Sequence, residues 1–212
     1  LINKTLSGLY SPGSTIKPIV ALSALENKII NESFKVRCTG KTELYGQTFH
    51  CWKEKGHGLV SLKNAMKQSC DTYFYEITRI LGVDKLKFTA EKFGLGKKVL
   101  GEYFENEKQG LFPDTIWKKN NLGKGWVLGE TLITGIGQGY TQTTPLQLCL
   151  MTAQLANGGY KIYPKIVAND DNQYADKFIP LYKKARNIKI VQDAMFGSTN
   201  EVMGTSYRSR IK

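Results

Sequence analysis

Apolar residues recur at helical spacing along most of the chain, and this predicts a mainly helical protein. Turn residues divide the pattern into separate segments. The segments predicted to be helices are residues 14–25, 62–68, 72–81, 83–93 and 145–155. Strand signals are few, and they fall on residues 161–167 and, more weakly, on residues 189–191.

Three residues are candidate caps for these helices. Ser14 follows a Pro-Gly turn, Asp71 precedes an apolar helical run, and Thr144 stands directly before Pro145. Short polar side chains accept hydrogen bonds from the free N–H groups of a first helical turn, where proline is also tolerated. Residues 38–58, by contrast, are rich in Gly, Lys and Thr and show no hydrophobic periodicity. This predicts a long irregular loop that needs a cross-link, such as a disulfide or a bound metal ion, to hold it in place.

The composition is that of one globular domain spanning residues 1–212. The 212 residues are 41% hydrophobic and 23% charged, which is enough apolar material for one core. The net charge of +12 would attract polyanions. The densest lysine cluster, Lys118, Lys119 and Lys124, has no interleaved aromatic residues on which bases would stack. We therefore expect a solvated basic surface and no nucleic-acid partner.

The sequence contains no targeting or membrane segment. It begins at Leu1, without a basic stretch followed by an apolar run. No window reaches the roughly 18 consecutive apolar residues of a membrane-spanning helix. We expect the chain to be part of a longer protein, with any export signal or anchor upstream.

Ser14 and Lys17 are the first candidate pair for chemistry. They lie three residues apart at the start of a predicted helix, so the amine can come within hydrogen-bond reach of the hydroxyl. A serine becomes an effective nucleophile when a neighbouring base takes its proton, and a lysine can serve as that base. The same spacing also fits a capping serine beside a solvated lysine.

The run Ser69-Cys70-Asp71 is a second candidate element, at a break between two predicted helices. Its hydroxyl would pass a proton between the lysine and a leaving amine. Taken alone, this run is equally well explained as a helix cap.

Several longer runs carry a family resemblance, and they occur in order between residues 7 and 167. They are Ser11-Pro12-Gly13-Ser14-Thr15-Ile16-Lys17-Pro18, Ser69-Cys70-Asp71-Thr72-Tyr73-Phe74-Tyr75, Lys92-Phe93-Gly94-Leu95-Gly96, Thr134-Gly135-Ile136-Gly137-Gln138-Gly139-Tyr140 with Thr143-Thr144-Pro145-Leu146-Gln147, and Ala156-Asn157-Gly158-Gly159. Together they resemble the motifs of the penicillin-binding proteins, which share a fold with the serine β-lactamases. Among these proteins, the runs resemble the class B enzymes that act in cell elongation.

The resemblance implies an α+β transpeptidase fold, of which this chain would supply mainly the helical part, with the central antiparallel sheet incomplete. It implies D,D-transpeptidation of peptidoglycan, with Ser14 as nucleophile, Lys17 as base and Ser69 as proton relay. Asp71 stands where many relatives have Asn, and an ionised Asp accepts but does not donate hydrogen bonds. A D,D-carboxypeptidase, a β-lactamase or a non-catalytic penicillin- or wall-binding module stay open as alternatives.

The resemblance also implies partners and a location. The partners would be peptidoglycan stem peptides, β-lactams, and the glycosyltransferase and membrane proteins of an elongation complex. The domain would lie on the periplasmic face of the bacterial inner membrane.

The family's third motif, Lys-Thr-Gly or Lys-Ser-Gly, does not occur after Lys17. In the family this motif lies on a core strand that binds the substrate's carboxylate. The run Met203-Gly204-Thr205-Ser206 resembles the segment that precedes that strand. We therefore expect the anchor, the pedestal and the third-motif strand to be absent from residues 1–212, and the chain as given to be impaired or inert.

A candidate metal site involves three of the four cysteines and one of the two histidines. Cys38, Cys51, His57 and Cys70 are separated by 12, 5 and 12 residues, and a Cys3His set is a known structural zinc combination. A Cys38–Cys51 disulfide is the alternative in an oxidising compartment. The resemblance favours zinc, because some relatives hold it with Asp, Asp, His and Cys at these places.

The remaining cysteine and histidine have simpler interpretations. Cys149 lies on an apolar helical run and is predicted to be in the core. His50 is predicted to be a loop residue.

Overall fold

Helices form most of the structure, and the computed structural model describes them within residues 3–101, 104–165 and 178–211. The α-helices are α1 (Lys4–Ser7), α2 (Lys17–Glu26), α3 (Leu62–Lys67), α4 (Asp71–Leu81), α5 (Val83–Lys92), α6 (Thr115–Leu122), α7 (Leu128–Gly135), α8 (Pro145–Ala156) and α9 (Ala185–Asn200). Short 3₁₀ helices cover Gly13–Ile16 and Tyr207–Ser209. Each helix predicted from the apolar spacing is present.

Helix α2 lies at the centre of the molecule. Ile19, Val20 and Leu22 are fully buried, and every residue from Lys17 to Leu25 is shielded from solvent. A helix that is apolar all round must be surrounded by protein, and α2 packs against α4, α5 and α9. Pro18 lies in its first turn, where a missing N–H removes no intrahelical hydrogen bond. The start of α2 is therefore a rigid support for the preceding turn.

Residues 35–61, here called the β lobe, form two small sheets where the sequence predicts an irregular loop. Their strands are β1 (Lys35–Cys38), β2 (Lys41–Leu44), β3 (Gln47–His50) and β4 (Gly58–Ser61). Strand β1 pairs with β4 and β2 with β3, both antiparallel. The loop prediction for residues 38–58 is wrong in this respect, because strands of four residues are too short to show a period of two.

Both predicted strands in the second half of the chain are wrong where the structure describes them. Residues 189–191 lie inside α9, because Ile188, Val191 and Ala194 follow the helical spacing and face the core. Residues 161–165 contain no strand, and the neighbouring Tyr160 makes only an isolated bridge to Pro180. Residues 166 and 167 lie outside the described residues.

Thr144 is confirmed as a cap, and Gln147 completes a reciprocal capping box at the start of α8. Asp71, however, is the first residue of α4 and not its cap, a position that Cys70 occupies. Ser14 lies inside the 3₁₀ turn before α2 and caps neither helix. In the part of the chain that the structure describes, no helix has the length and apolar character needed to cross a bilayer.

Candidate active site

Ser14 lies in the 3₁₀ turn Gly13–Ile16. Two segments later in the chain, around Gly137 and Thr143, form backbone hydrogen bonds with this turn and with the residues before it. The N–H of Gly13 donates to the carbonyl of Gly137 at 2.9 Å. Tyr10 and Thr143 exchange a pair of backbone hydrogen bonds of 3.0 and 2.9 Å. Gly137 has a φ of +72°, and a Cβ there would overlap the backbone of Gly13. The Gly-rich run around residue 137 therefore acts by letting two backbones touch.

A chain of hydrogen bonds joins Ser14 to Lys17 through Ser69. The Ser69 hydroxyl donates to Ser14 Oγ at 3.1 Å, and Lys17 Nζ donates to Ser69 Oγ at 2.9 Å. Within the described residues, no hydrogen bond joins Lys17 Nζ directly to Ser14 Oγ. The expected direct contact is replaced by a relay, because Lys17 is the first residue of α2 and its side chain extends toward the second motif.

Lys17 is 1% exposed, and its charge is satisfied by three acceptors. Besides Ser69 Oγ, its Nζ atom donates to Asp71 Oδ1 at 2.7 Å and to the Ser69 carbonyl at 3.0 Å. The ring of Phe74 lies 5.2 Å from Nζ and adds a cation–π contact. Burying an ammonium group without a counter-charge costs free energy, and the Asp71 carboxylate offsets that cost for Lys17.

Trp52 contacts the second motif and lines the cleft, and the sequence interpretation missed it. Its backbone N–H donates to Asp71 Oδ2 at 3.0 Å, and its indole Nε1 donates to the carbonyls of Gln68 and Ser69 at 2.9 and 3.1 Å. Ser69 has a φ of +51°, a conformation that non-glycine residues adopt at a cost. The indole and Lys17 hold the Ser69 carbonyl from two directions and so offset that cost.

These residues open onto a cleft of about 1110 Å³. Its lining includes Ser14, His50, Cys51, Trp52, Ser69, Asp71, Tyr75, Ile136, Gln138, Thr205 and Arg208. A second cleft of about 480 Å³ also reaches Ser14, and Met195 and Phe196 of α9 form part of its wall. The nucleophile is therefore accessible from both sides of the 3₁₀ turn.

The four predicted metal ligands converge beside the second motif. The ligand atoms of Cys38, Cys51, His57 and Cys70 all lie within 4.8 Å of one another. His57 Nδ1 is 3.5 Å from each of the sulfurs of Cys38 and Cys51. All three cysteines are buried free thiols, so the alternative Cys38–Cys51 disulfide is not formed in this structure. The cluster lies at the N-terminus of α4, whose dipole favours negative charge.

The thiols of Cys51 and Cys70 titrate differently. A hydrogen bond from Cys70 lowers the pKa of Cys51 to about 3, helped by backbone N–H groups and opposed by burial. The same hydrogen bond, together with burial, raises the pKa of Cys70. The cluster thus holds a thiolate at neutral pH, and the thiolate is the form in which cysteine binds metals.

The two remaining predictions are corrected. Cys149 is exposed, because the buried face of α8 is formed by Gln147, Leu150, Met151 and Leu155, and residue 149 lies off that face. His50 ends strand β3, where its carbonyl accepts a hydrogen bond of 3.1 Å from the Tyr75 hydroxyl.

A serine joined through a second serine to a buried lysine, on an α+β scaffold, is the arrangement that the motifs of the penicillin-binding proteins predict. The whole chain, residues 1–212, matches the family described as the penicillin-binding protein transpeptidase domain. The chain belongs to this family, as the motifs predict.

Within the family, the chain is similar to penicillin-binding protein 2 (PBP2). The peptidoglycan D,D-transpeptidase MrdA of Salmonella typhimurium is 34% identical over 98% of this chain and 35% of its own length. MrdA of Acinetobacter baumannii is 38% identical over 79% of this chain and 25% of its own length. The chain thus spans about a third or less of the curated relatives it matches.

Solved structures agree with this placement. PBP2 of Pseudomonas aeruginosa, solved in complex with WCK 5153, has a TM-score of 0.89 at 38% identity, covering 97% of this chain and 48% of its own. PBP2 of Helicobacter pylori has a TM-score of 0.90 at 32% identity, covering 98% of this chain and 39% of its own. The expected transpeptidase fold is confirmed.

Proposed function

We propose that the protein is a peptidoglycan D,D-transpeptidase that works through a serine acyl-enzyme. The observation that carries the proposal is the continuous hydrogen-bond chain from Ser14 Oγ through Ser69 Oγ to Lys17 Nζ. Such a chain supplies what a serine nucleophile needs, which is a route for its proton to a base.

The first half of the reaction forms the acyl-enzyme. Lys17 donates three hydrogen bonds in the resting site and must give up one proton before it can serve as the base. Ser14 Oγ then attacks the carbonyl carbon of the penultimate D-alanine while its proton passes along Ser69 to Lys17. The C–N bond to the terminal D-alanine then breaks, and Ser69 returns the proton to the departing amine. The backbone N–H of Ser14, an exposed residue of the 3₁₀ turn, would donate to the developing oxyanion.

The second half transfers the acyl group to an amine of a neighbouring stem peptide. The same relay takes a proton from that amine as it attacks the ester carbonyl, and Ser14 recovers its hydrogen. A β-lactam would acylate Ser14 in the same way through opening of its ring. Because the leaving amine stays attached to the acyl group, it would keep the cleft occupied.

We further propose that the cluster of Cys38, Cys51, His57 and Cys70 holds a structural zinc ion. Zinc bonds of about 2.3 Å to sulfur and about 2.0 Å to nitrogen imply a tetrahedral S–N edge of about 3.5 Å. Both S–N distances measured here are 3.5 Å, which supports the fit. Four protein ligands leave no open position, so the ion would stiffen the base of the β lobe and perform no hydrolysis.

The location and partners are proposed from the relatives. The domain would work in the periplasm against the inner membrane, as part of a cell-elongation complex that includes a glycosyltransferase. A structure of Helicobacter pylori PBP2 in complex with MreC, at 33% identity and a TM-score of 0.88, supports the proposal that the domain assembles with a partner protein.

Labelling with a fluorescent penicillin tests the nucleophile. The full-length protein should label, Ser14→Ala should not, and Ser33→Ala, at an exposed serine outside the cleft, should label like the unchanged protein. Equal labelling of Ser14→Ala would overturn the proposal.

Product analysis separates transpeptidation from hydrolysis. With a stem pentapeptide and an added acceptor amine, we expect the cross-linked amide to accumulate together with one D-alanine per bond formed. If the acyl group goes to water even at a high amine concentration, the protein is a carboxypeptidase.

A further inference from the structure

Two aromatic residues, Trp117 and Tyr140, form a contacting pair beside the catalytic cleft. Their ring centroids are 5.2 Å apart, and the ring planes are inclined by 55°. Tyr140 follows Gln138 by two residues, and Gln138 lines the cleft together with Ser14. Neither aromatic ring belongs to that lining. The aromatic pair therefore lies next to the cleft, where a substrate longer than the cleft would continue.

Both residues of the aromatic pair remain accessible to solvent. Tyr140 is 37% exposed, and Trp117 is half-buried. Aromatic side chains that only fill the core, such as Tyr73 and Phe93, are fully buried in this protein. Exposed Trp and Tyr residues are typical of binding surfaces, because each combines an apolar ring with a polar group. The aromatic pair is therefore available to a ligand.

Hydrogen bonds fix the aromatic pair to α6 and α7. The Asp114 carboxylate accepts the N–H of Trp117 at 2.6 Å. Lys118 Nζ and the Tyr140 hydroxyl both donate to Glu130 Oε1, at 2.6 and 3.3 Å. The side chains of Lys118 and Glu130 are 6% and 19% exposed, and their ion pair joins α6 to α7. Rings that are already held in place lose little conformational freedom when a ligand binds.

The polar groups beside the aromatic pair favour an uncharged ligand. Lys118 and Glu130 neutralise one another. Asn120 is exposed three residues after Trp117, on the same face of α6, and its side-chain amide can both donate and accept hydrogen bonds. A pyranose ring matches this combination. Its C–H groups contact the electron-rich face of an aromatic ring, while hydroxyl and acetamido groups project from its edge.

We propose that Trp117 and Tyr140 form a saccharide-binding site for the glycan strand that carries the stem peptide. This rests on the proposed transpeptidase function, because a stem peptide that enters the cleft is covalently attached to such a strand. The sugar rings would stack on the aromatic pair while the stem peptide reaches Ser14. The protein would thereby recognise peptidoglycan through a part of the polymer that does not react.

Binding of chitopentaose to the full-length protein tests the site. Chitopentaose is a β-1,4-linked oligomer of N-acetylglucosamine, a sugar of the glycan strand, and it carries no charge. Its binding therefore does not arise from the net charge of +12 and should change little between low and high salt. The quantity to measure is the dissociation constant, by isothermal titration calorimetry.

We expect Trp117→Ala and Tyr140→Ala each to weaken chitopentaose binding about tenfold, because each removes one stacking ring. Tyr140→Phe keeps the ring and loses only the hydrogen bond to Glu130, so it should retain most of the affinity. Trp117→Phe should give an intermediate affinity, and it replaces Trp117→Ala if that variant does not fold. Phe88→Ala is the matched control, since this ring is 61% exposed on α5 and contacts Lys92.

A second readout compares two donor substrates in each variant. The rate of cross-linking with a glycan-linked pentapeptide, divided by the rate with the free pentapeptide, should fall in Trp117→Ala and not in Phe88→Ala. The ratio cancels any general effect on the catalytic residues.

Penicillin labelling of Ser14 separates failure of the site from failure of the proposed function. If the labelled, unchanged protein binds no chitopentaose, or if Phe88→Ala loses as much affinity as Trp117→Ala, the saccharide site is overturned and the transpeptidase function stands. Chitopentaose binding that depends on Trp117, in a protein that penicillin does not label, would support the saccharide site and overturn the proposed function instead.

Discussion

Lys17 Nζ lies 2.7 Å from Asp71 Oδ1, and the two side chains are only 2% and 13% exposed. The other oxygen of the same carboxylate accepts the backbone N–H of Trp52. Asp71 therefore joins the buried base on α2 to the β lobe. The sequence alone does not reveal that the Asp71 carboxylate accepts hydrogen bonds from both Lys17 and Trp52. An ionised Asp is suited to this position because it only accepts hydrogen bonds.

Asp71→Ala should destabilise the domain by about 3 kcal/mol, because it leaves the buried ammonium of Lys17 without a counter-charge. Asp71→Asn retains an acceptor oxygen and should cost less. Urea denaturation measures both effects. The exposed pair Lys41–Glu43, with side chains 56% and 64% exposed, provides the control, and Glu43→Ala should leave the free energy of unfolding nearly unchanged. Equal losses in Asp71→Ala and Glu43→Ala would contradict the role of the ion pair.

Trp52→Phe removes the indole N–H that supports the Ser69 carbonyl and keeps the backbone N–H that binds Asp71. Acylation by penicillin should slow by about tenfold, the equivalent of one hydrogen bond at a strained carbonyl. Trp126→Phe is the matched control, since its indole donates to Thr131 Oγ1 at 2.8 Å, outside the cleft. A positioning role for Trp52 would be excluded if the two variants acylate at the same rate.

Cys38→Ser and Cys149→Ser separate metal binding from ordinary cysteine chemistry. Elemental analysis of the unchanged protein and of Cys149→Ser should give about one zinc per chain, whereas Cys38→Ser should give much less. The exposed position of Cys149 makes it the matched control. Absence of zinc from the unchanged protein, with a Cys38–Cys51 disulfide found by mass mapping, would refute the metal site.

Gly137→Ala tests the contact behind the nucleophile. The new methyl group would push against the Gly13 backbone, and the residue would also keep a positive φ, so we expect a loss of about 2–4 kcal/mol in stability and slower acylation. Gly125→Ala, where a Cβ meets open space, should fold and acylate normally. Comparable behaviour of the two variants would show that the contact is unimportant.

Much of the helical framework could be predicted from the sequence, because it depends on local patterns. The apolar spacing of α2, α4 and α5 can be recognised in the sequence without reference to any other segment. Thr144 and Gln147 form a capping box and lie only three residues apart. The convergence of Cys38, Cys51, His57 and Cys70 could be predicted for a different reason, since cysteine and histidine are rare enough in this sequence to stand out. That they hold zinc stays a proposal. The four ligands lie together as their residue types suggest.

The parts that failed depend on contacts between distant segments. The strands of the β lobe owe their existence to pairing and not to a period of their own. Trp52 reaches Asp71 across 19 residues of sequence, and its adjacency to Cys51 was the only available signal. The contact of Ser14 with Lys17 runs through Ser69, 52 residues after Lys17, because the Lys17 side chain at the start of α2 extends toward the second motif.

The β lobe and the helical core are expected to differ in local stability. Isolated two-stranded sheets are marginally stable in water, whereas α2 is enclosed on every side. We therefore expect the β lobe to open more readily than the helical core, with the second motif at the boundary between them. A local opening of the lobe would withdraw Trp52 from Asp71 and Ser69 while Ser14 and Lys17 stay folded. The enzyme would then lose its catalytic alignment reversibly, without global unfolding.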